Sequence, residues 1–142
     1  MKISTRGRYA IRVMIDLAEH GFGEYIPLTD IAKRQDISEK YLEAIVASLV
    51  KAGLLVGLRG KKGGYRLTKQ PEEYTLYDIL KITEGSFAPV SCLETEVNIC
   101  PRAAACKTLD IWKNFERLIE DYFQGIKLDS LTGNDDCYDY VI

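Results

Sequence analysis

Residues 37–67 read ISEKYLEAIVASLVKAGLLVGLRGKKGGYRL, and this stretch decides the fold. Ser38 is a favourable helix N-cap, and the apolar residues from Leu42 to Leu49 recur at the three- and four-residue spacing of an amphipathic helix. Gly53 supplies the C-terminal stop. Residues 54–67 change from apolar to glycine-rich and basic and back to apolar, a pattern typical of a β-hairpin. The stretch therefore predicts a helix between Ser38 and Gly53, followed by two short strands.

The residues before this stretch predict two further helices. From Arg6 to His20, apolar side chains follow helical spacing, and Arg8 and Arg12 share the opposite side one turn apart. Pro27 introduces a shorter helix, which breaks at Asp36. A short helix, a tight turn and a longer helix together form the helix-turn-helix pattern.

Charge is divided unevenly between the two halves of the chain. Residues 1–70 hold 13 Lys and Arg against 7 Asp and Glu, whereas residues 71–142 hold 6 against 14. The first half is therefore the half that could approach a polyanion. Its hairpin, with strands predicted at 54–59 and 65–67, has a basic glycine-rich tip. Helix-turn-helix and hairpin in this order predict a winged helix that binds DNA.

Eight residues of the first half are candidate contacts to double-stranded DNA. We expect the third helix to enter the major groove while the hairpin tip reaches phosphates or the adjacent minor groove. A carboxylate such as Glu43 can accept a hydrogen bond from cytosine N4, and the alternative is that it belongs to a solvated helix face. For the whole unit, the alternative is a winged helix that binds a protein. The candidates are Arg8, Ser38, Lys40, Tyr41, Glu43, Arg59, Lys61 and Lys62.

The second half holds three cysteines in one short stretch, Cys92, Cys100 and Cys106, spaced C-x7-C-x5-C. Because the sequence shows neither a signal peptide nor an apolar run of membrane-spanning length, we expect a cytoplasmic protein without a membrane partner. In a reducing cytosol, clustered cysteines are more often metal ligands or redox groups than structural disulfides. Free cysteines in an irregular loop are the alternative. The isolated Cys137 is expected to be a packed or idle thiol.

A long amphipathic helix is predicted after Cys106. Its residues Trp112, Phe115, Ile119 and Tyr122 alternate at steps of three and four. So large an apolar stripe on a small protein favours pairing with a second copy, and burial against the chain's own winged domain is the alternative. A homodimer would present two recognition helices about one turn of DNA apart, on a roughly palindromic operator.

The predicted fold class is mainly α with a small β-hairpin (α+β). We expect a winged helix-turn-helix domain at residues 1–84, a cysteine-bearing segment at 85–107, and a dimerisation helix with a C-terminal tail at 108–142. Within the first of these, Thr75 and Asp78 predict a capped short helix. An enzyme is not expected, because the chain has one His, no glycine-rich phosphate motif after a strand and no credible pair of nucleophile and base.

Several motifs, taken in order, resemble a known family. They are the opening MKISTRGRYA, the Ile37-Ser38-x-x-Tyr41-Leu42-Glu43 stretch, the Arg59-Gly60-x-x-Gly63-Gly64-Tyr65 hairpin and the cysteine trio. These are similar to motifs of the bacterial winged-helix transcription regulators that include IscR, NsrR and CymR, with IscR the most similar branch. The resemblance covers nearly the whole chain. It implies a homodimeric transcription factor, an iron–sulfur cluster in several branches, and DNA contacts by Glu43 and Arg59.

The resemblance also implies that the three cysteines ligate this cluster, with 2Fe-2S favoured and 4Fe-4S as the alternative. Zinc is less favoured, because the cysteine gaps lack the tight C-x2-C spacing of structural zinc sites. The fourth ligand is open: Leu109 stands where IscR-like proteins carry a histidine, and Arg8 and Arg12 occupy the first-helix positions that serve in other branches. The remaining candidates are Glu94, Glu96 and Asp110 nearby, and His20 and Cys137 farther along the chain.

Three functions are compatible with this resemblance. A regulator that senses iron–sulfur cluster status and controls cluster biogenesis or related genes is favoured. The alternatives are a nitric-oxide-sensing NsrR-like repressor and a CymR-like regulator of cysteine metabolism, which lacks a cluster and acts through a protein partner. The C-terminal residues 138–142 resemble the CymR branch, whereas the cysteine trio argues against it.

Overall fold

A computed structural model describes residues 1–21 and 23–133 of the chain. They form five α-helices and a two-stranded antiparallel sheet, which confirms the predicted fold class. The elements are α1 (Thr5–His20), α2 (Leu28–Gln35), α3 (Glu39–Lys51), β1 (Leu55–Leu58), β2 (Gly64–Leu67), α4 (Leu76–Glu84) and α5 (Leu109–Gln124). Short 3-10 turns lie at Pro71–Glu73, Ser91–Leu93, Ala103–Ala105 and Leu128–Leu131. None of the helices described is long and apolar enough to cross a membrane.

The helix-turn-helix is set by its capping residues. The Ser38 hydroxyl accepts a hydrogen bond from the backbone N–H of Tyr41 at 3.1 Å, so it satisfies one of the free donors at the start of α3. Asp36 ends α2 in the left-handed conformation with φ of 54°, which turns the chain sharply toward α3. The prediction of a tight break at this point is confirmed.

The hydrophobic core lies where α1, α2, α3, β1 and α4 meet. Met14, Leu42, Leu49 and Ile79 are among its fully buried side chains, and burial of each such residue contributes roughly 1.5–3 kcal/mol. Leu128 is also fully buried in this core, so the chain after α5 returns to pack against the first half of the protein.

A buried carboxylate joins α1 to α2. The Asp16 side chain has no exposed surface and accepts hydrogen bonds from Arg34 Nη2 at 2.7 Å, Arg34 Nε at 3.0 Å and Gln35 Nε2 at 2.9 Å. The hydrogen bond with Asp16 raises the pKa of the Arg34 guanidinium above its usual value, which holds this side chain charged. The two helices that support α3 are therefore tied by a charged pair as well as by apolar packing.

The β1–β2 hairpin, called the wing below, is attached to the segment between α1 and α2. Leu55 pairs with Leu67 and Leu58 with Gly64, and Tyr65 exchanges two backbone hydrogen bonds of 2.9 Å with Ile26. Gly64 has φ of 148°, and a Cβ there would lie 2.2 Å from the Ile26 carbonyl oxygen. Only glycine permits this close approach. The attachment therefore fixes the direction in which the wing projects.

Helix α4 begins with a capping box. The Thr75 hydroxyl accepts from the Asp78 backbone N–H at 3.1 Å, and the Asp78 carboxylate accepts from the Thr75 N–H at 3.0 Å. The predicted cap is confirmed. At its other end, α4 carries Glu84, whose carboxylate accepts from the Ser4 backbone N–H at 2.6 Å and from the Ser4 hydroxyl at 3.0 Å.

Candidate nucleic-acid interface and cysteine segment

The outward face of α3 is available to a ligand. Lys40, Tyr41, Glu43 and Lys51 are exposed, whereas the opposite face of the helix is buried in the core. Ser38 is exposed as well, but its hydroxyl already serves as the N-cap. The structure thus presents three of the eight predicted contact residues, Lys40, Tyr41 and Glu43, as exposed side chains of α3, and it gives Ser38 a structural role.

Tyr41 is held in place by a neighbour on α1. Its ring stands edge-on to the ring of Tyr9, with the centroids 5.6 Å apart, and the guanidinium carbon of Arg12 lies 5.2 Å from the Tyr9 centroid. Arg12 Nε also donates to Gln35 Oε1 at 3.1 Å. The sequence did not predict that Tyr9 holds Tyr41 or that Arg12 packs on Tyr9. The position of Arg12 one helical turn from Arg8 was the available signal.

The wing tip carries three cations. Arg59, Lys61 and Lys62 are all exposed. Every ion pair within residues 1–21 and 23–133 involves Asp16. The three wing cations therefore have no carboxylate partner among these residues. Arg8 on α1 is also exposed, and its Nη2 donates to the Thr5 hydroxyl at 3.1 Å. Unpaired cations at the end of a fixed hairpin suit phosphate contacts.

The three cysteines lie in the irregular segment between α4 and α5. All three are free thiols; Cys92 and Cys100 are half-buried and Cys106 is exposed. In the part of the chain that the structure describes, no three His, Cys, Asp or Glu side chains stand close enough together to hold a metal ion. The three cysteines are free thiols, which is the type of ligand that binds iron–sulfur clusters. In this conformation, however, they are not close enough together to form a site.

Cys106 stands three residues before Leu109, where α5 begins. Its Sγ lies 3.5 Å from the Thr108 hydroxyl, and this hydrogen bond is the largest cause that lowers the pKa of the thiol. Backbone N–H groups of Thr108 and Leu109 and the charge of Arg102 act in the same direction. Cys106 is therefore disposed to form the thiolate that binds metals.

Within residues 1–21 and 23–133, the structure identifies no fourth ligand. Leu109 is half-buried, and Glu94, Glu96 and Asp110 are exposed without joining any described group of potential ligands. Cys137 lies outside the described residues.

Helix α5 has two different faces. Trp112, Ile119 and Phe123 are half-buried, and the Phe123 ring packs 5.6 Å from the ring of Phe87. A second stripe is solvent-exposed: Ile111 at 56%, Phe115 at 45%, Leu118 at 67% and Tyr122 at 67%. The stripe predicted from the sequence combined members of both faces. The exposed set, spaced at steps of four, three and four, is the one left without a partner in the described structure.

Comparison with known proteins shows which family has this architecture. The profile of the Rrf2 family, described as an iron-dependent transcriptional regulator, matches residues 3–134. Protein rrf2 of Nitratidesulfovibrio vulgaris is 43% identical over 112 residues, which cover 79% of this chain and 74% of the relative. The HTH-type transcriptional regulator IscR of Aliivibrio salmonicida is 36% identical over 131 residues, covering 92% and 77%.

Among solved structures, CymR (YrzC), the global cysteine regulator of Bacillus subtilis, superposes with a TM-score of 0.73 at 32% identity. The match covers 92% of this chain and 95% of that one. These relatives are regulators of transcription and not enzymes, in agreement with the exposed helix and basic wing described above. The chain belongs to the Rrf2 family of transcriptional regulators.

Proposed function

We propose that the protein is a homodimeric repressor or activator that reads a roughly palindromic operator and responds to an iron–sulfur cluster held by Cys92, Cys100 and Cys106. The observation that carries DNA reading is the exposed face of α3 beside three wing cations without carboxylate partners in the described residues. Helix α3 enters the major groove, and Arg59, Lys61 and Lys62 reach the flanking phosphates or minor groove.

Dimerisation through α5 is supported by its exposed stripe. Ile111 and Leu118 are seven residues apart, as are Phe115 and Tyr122, so the four side chains follow the seven-residue repeat of two paired helices. Four large apolar side chains on one helix face are costly to leave in water. In this proposal, residues 1–84 bind DNA, residues 85–107 hold the iron–sulfur cluster to which the protein responds, and residues 108–142 pair the two copies.

The cysteine segment is the proposed sensor. Its three free thiols, the lowered pKa of Cys106 and the iron-dependent description of the matching family support an iron–sulfur cluster. A bound cluster supplies a centre that responds to oxidants and to iron supply. The segment follows α4, whose Glu84 holds Ser4 at the start of α1. A conformational change in the cysteine segment thus has a short route to the DNA-binding half, through α4 and the hydrogen bonds between Glu84 and Ser4.

A second candidate is a cluster-free regulator of cysteine metabolism. It is favoured by one observation, that no three potential ligands converge within the described residues. The similarity to the global cysteine regulator CymR points the same way. Metal content distinguishes the two proposals.

The first test measures iron, acid-labile sulfide and zinc on protein purified without oxygen. We expect near-stoichiometric iron and sulfide in the parent and none in the Cys92→Ala, Cys100→Ala, Cys106→Ala triple variant. A Ser91→Ala variant, which changes an exposed side chain next to Cys92, is the control and should retain both. Iron and sulfide absent from the parent as well would overturn the cluster proposal and favour the second candidate.

A second test addresses base reading by Glu43. Duplexes are selected from a random pool by the parent protein, and affinities are measured for the selected and a scrambled duplex. Glu43→Ala should reduce discrimination between them by about 5- to 150-fold, the equivalent of roughly 1–3 kcal/mol for one lost base contact. Glu19→Ala, on an exposed position of α1, is the control. Unchanged discrimination removes Glu43 from base reading, and failure of the parent to select any duplex contradicts DNA reading itself.

A further inference from the structure

Asn98, which lies between Cys92 and Cys100, carries a buried side-chain hydrogen-bond donor. Its Oδ1 accepts a hydrogen bond from the backbone N–H of Cys100 at 2.9 Å. Because an N–H group can donate only to the oxygen of an amide, this contact fixes which end of the side chain is the nitrogen. Nδ2 is buried, and among residues 1–21 and 23–133 it is the one buried side-chain polar atom without a hydrogen-bond partner.

The two neighbours of Asn98 are apolar and lie in water. Val97 is 72% exposed and Ile99 is 80% exposed, while Nδ2 of the amide between them is buried. Hydration alone would favour the reverse arrangement, with the apolar side chains inside and the amide outside. An unpaired buried donor is itself destabilising, so such a group calls for an explanation. The cysteine segment thus keeps inside it a donor that needs a further acceptor.

Sulfur is an acceptor that this segment offers. Cys92 and Cys100 are half-buried free thiols, and the hydrogen bond to the Cys100 N–H holds the amide beside that cysteine. A neutral thiol is a weak acceptor, whereas the thiolate of a metal ligand and the sulfide of a cluster carry negative charge and accept strongly. The Nδ2 donor of Asn98 therefore suits a ligated cysteine better than a free one.

We propose that Asn98 donates a hydrogen bond from Nδ2 to a sulfur of the iron–sulfur cluster, either a cysteine thiolate or a sulfide, and thereby raises the reduction potential of the cluster. The inference rests on the proposed cluster-binding function and adds to that site a residue that is not a ligand. Hydrogen bonds to the sulfurs are among the features that set the potential of such clusters, because they stabilise the more negatively charged reduced form.

Two substitutions separate the donor from the rest of the side chain. Asn98→Asp keeps an oxygen for the Cys100 N–H and loses the donor, and Asn98→Ala loses both atoms without adding a charge. In protein purified without oxygen, the midpoint potential of the cluster should fall in both variants, and further in Asn98→Asp because its charge also opposes reduction. Competition with an iron chelator should show an affinity for iron about 10- to 100-fold weaker in both variants. Asn114→Asp, at an exposed position of α5, is the control and should match the parent.

Pulsed electron paramagnetic resonance tests the contact itself. With ¹⁵N in the asparagine side chains, the reduced cluster of the parent should show a nitrogen hyperfine coupling that is lost in Asn98→Ala and kept in Asn114→Asp. A role of Asn98 in shaping the segment alone would not produce this coupling. Thermal unfolding of each variant reports whether it folds.

A parent that holds iron and sulfide, but whose potential and iron affinity are unchanged in both Asn98 variants, would overturn this inference and leave the proposed function standing. A lower potential in Asn98→Asp alone would reflect only its added charge, and a lower potential in Asn98→Ala alone only the lost Oδ1 contact. Either result, or a parent cluster without the nitrogen coupling, would also overturn the inference. A parent without iron and sulfide would instead overturn the proposed function, and this inference with it.

Discussion

Replacing Arg34 with Met is expected to lower the free energy of unfolding by about 1.5–3 kcal/mol, because the buried Asp16 carboxylate loses a cation whose own side chain is 34% exposed. Asp16 has no exposed side-chain surface, and it loses two of its three hydrogen bonds from side chains. Gln35 remains as a partner, but its amide supplies no charge. The measurement is urea unfolding of the full chain at neutral pH.

The same pair gives a double-mutant cycle. Removing both charges in Arg34→Met with Asp16→Leu should recover much of the loss, since a buried ion pair replaced by apolar groups of similar volume is often close to neutral. Lys33→Met, an exposed cation beside Arg34 on α2, is the control and should change stability by less than about 0.5 kcal/mol. If Arg34→Met unfolds at the same urea concentration as Lys33→Met, the pair does not stabilise the fold.

In the proposed dimer, the Leu118→Glu substitution is expected to separate the two copies and leave a monomer. It places a charge in the middle of the exposed α5 stripe, between Phe115 and Tyr122, where pairing would remove it from water. Sedimentation equilibrium gives the oligomeric state directly. Because two half-sites are then no longer bound together, affinity for a selected palindromic duplex should fall at least about 100-fold.

Lys113→Glu is the control for this result. It creates the same side chain on the same helix but outside the stripe, and it should remain dimeric. Loss of the dimer in Leu118→Glu alone assigns the interface to the stripe. A Leu118→Glu protein that sediments as the parent does would show that α5 does not pair the copies.

Local patterns were sufficient to predict most of the elements. Ser38, Asp36 and the Thr75–Asp78 pair act within a few residues of themselves, so their effects on helix ends follow from sequence. The face of α5 that packs inward was not predictable to one residue, because Trp112 and Phe115 are both large and apolar. The inward face depends on contacts with residues distant in sequence, such as that of Phe123 with Phe87.

Contacts between distant residues could not be predicted. Glu84 and Ser4 are 80 positions apart, and nothing in either local pattern indicates the other. Asp16 showed a weak signal, since it lies among the apolar positions of α1, but its partner Arg34 resembles an ordinary surface cation. The assembly of the cysteines depends on the path of a segment with little regular structure, for which no periodic pattern exists.

The glycine contact between the wing and the α1–α2 connection has a consequence for genetics. A Cβ at Gly63 would lie 2.1 Å from the Leu58 carbonyl oxygen, and one at Gly64 would lie 2.2 Å from that of Ile26. Missense alleles at either codon should therefore impair repression or activation in a cell-based selection by displacing the wing backbone. An allele map of this gene would then show null phenotypes at two wing positions that contribute geometry, and a footprint drawn from such a map would overstate the area in contact with the operator.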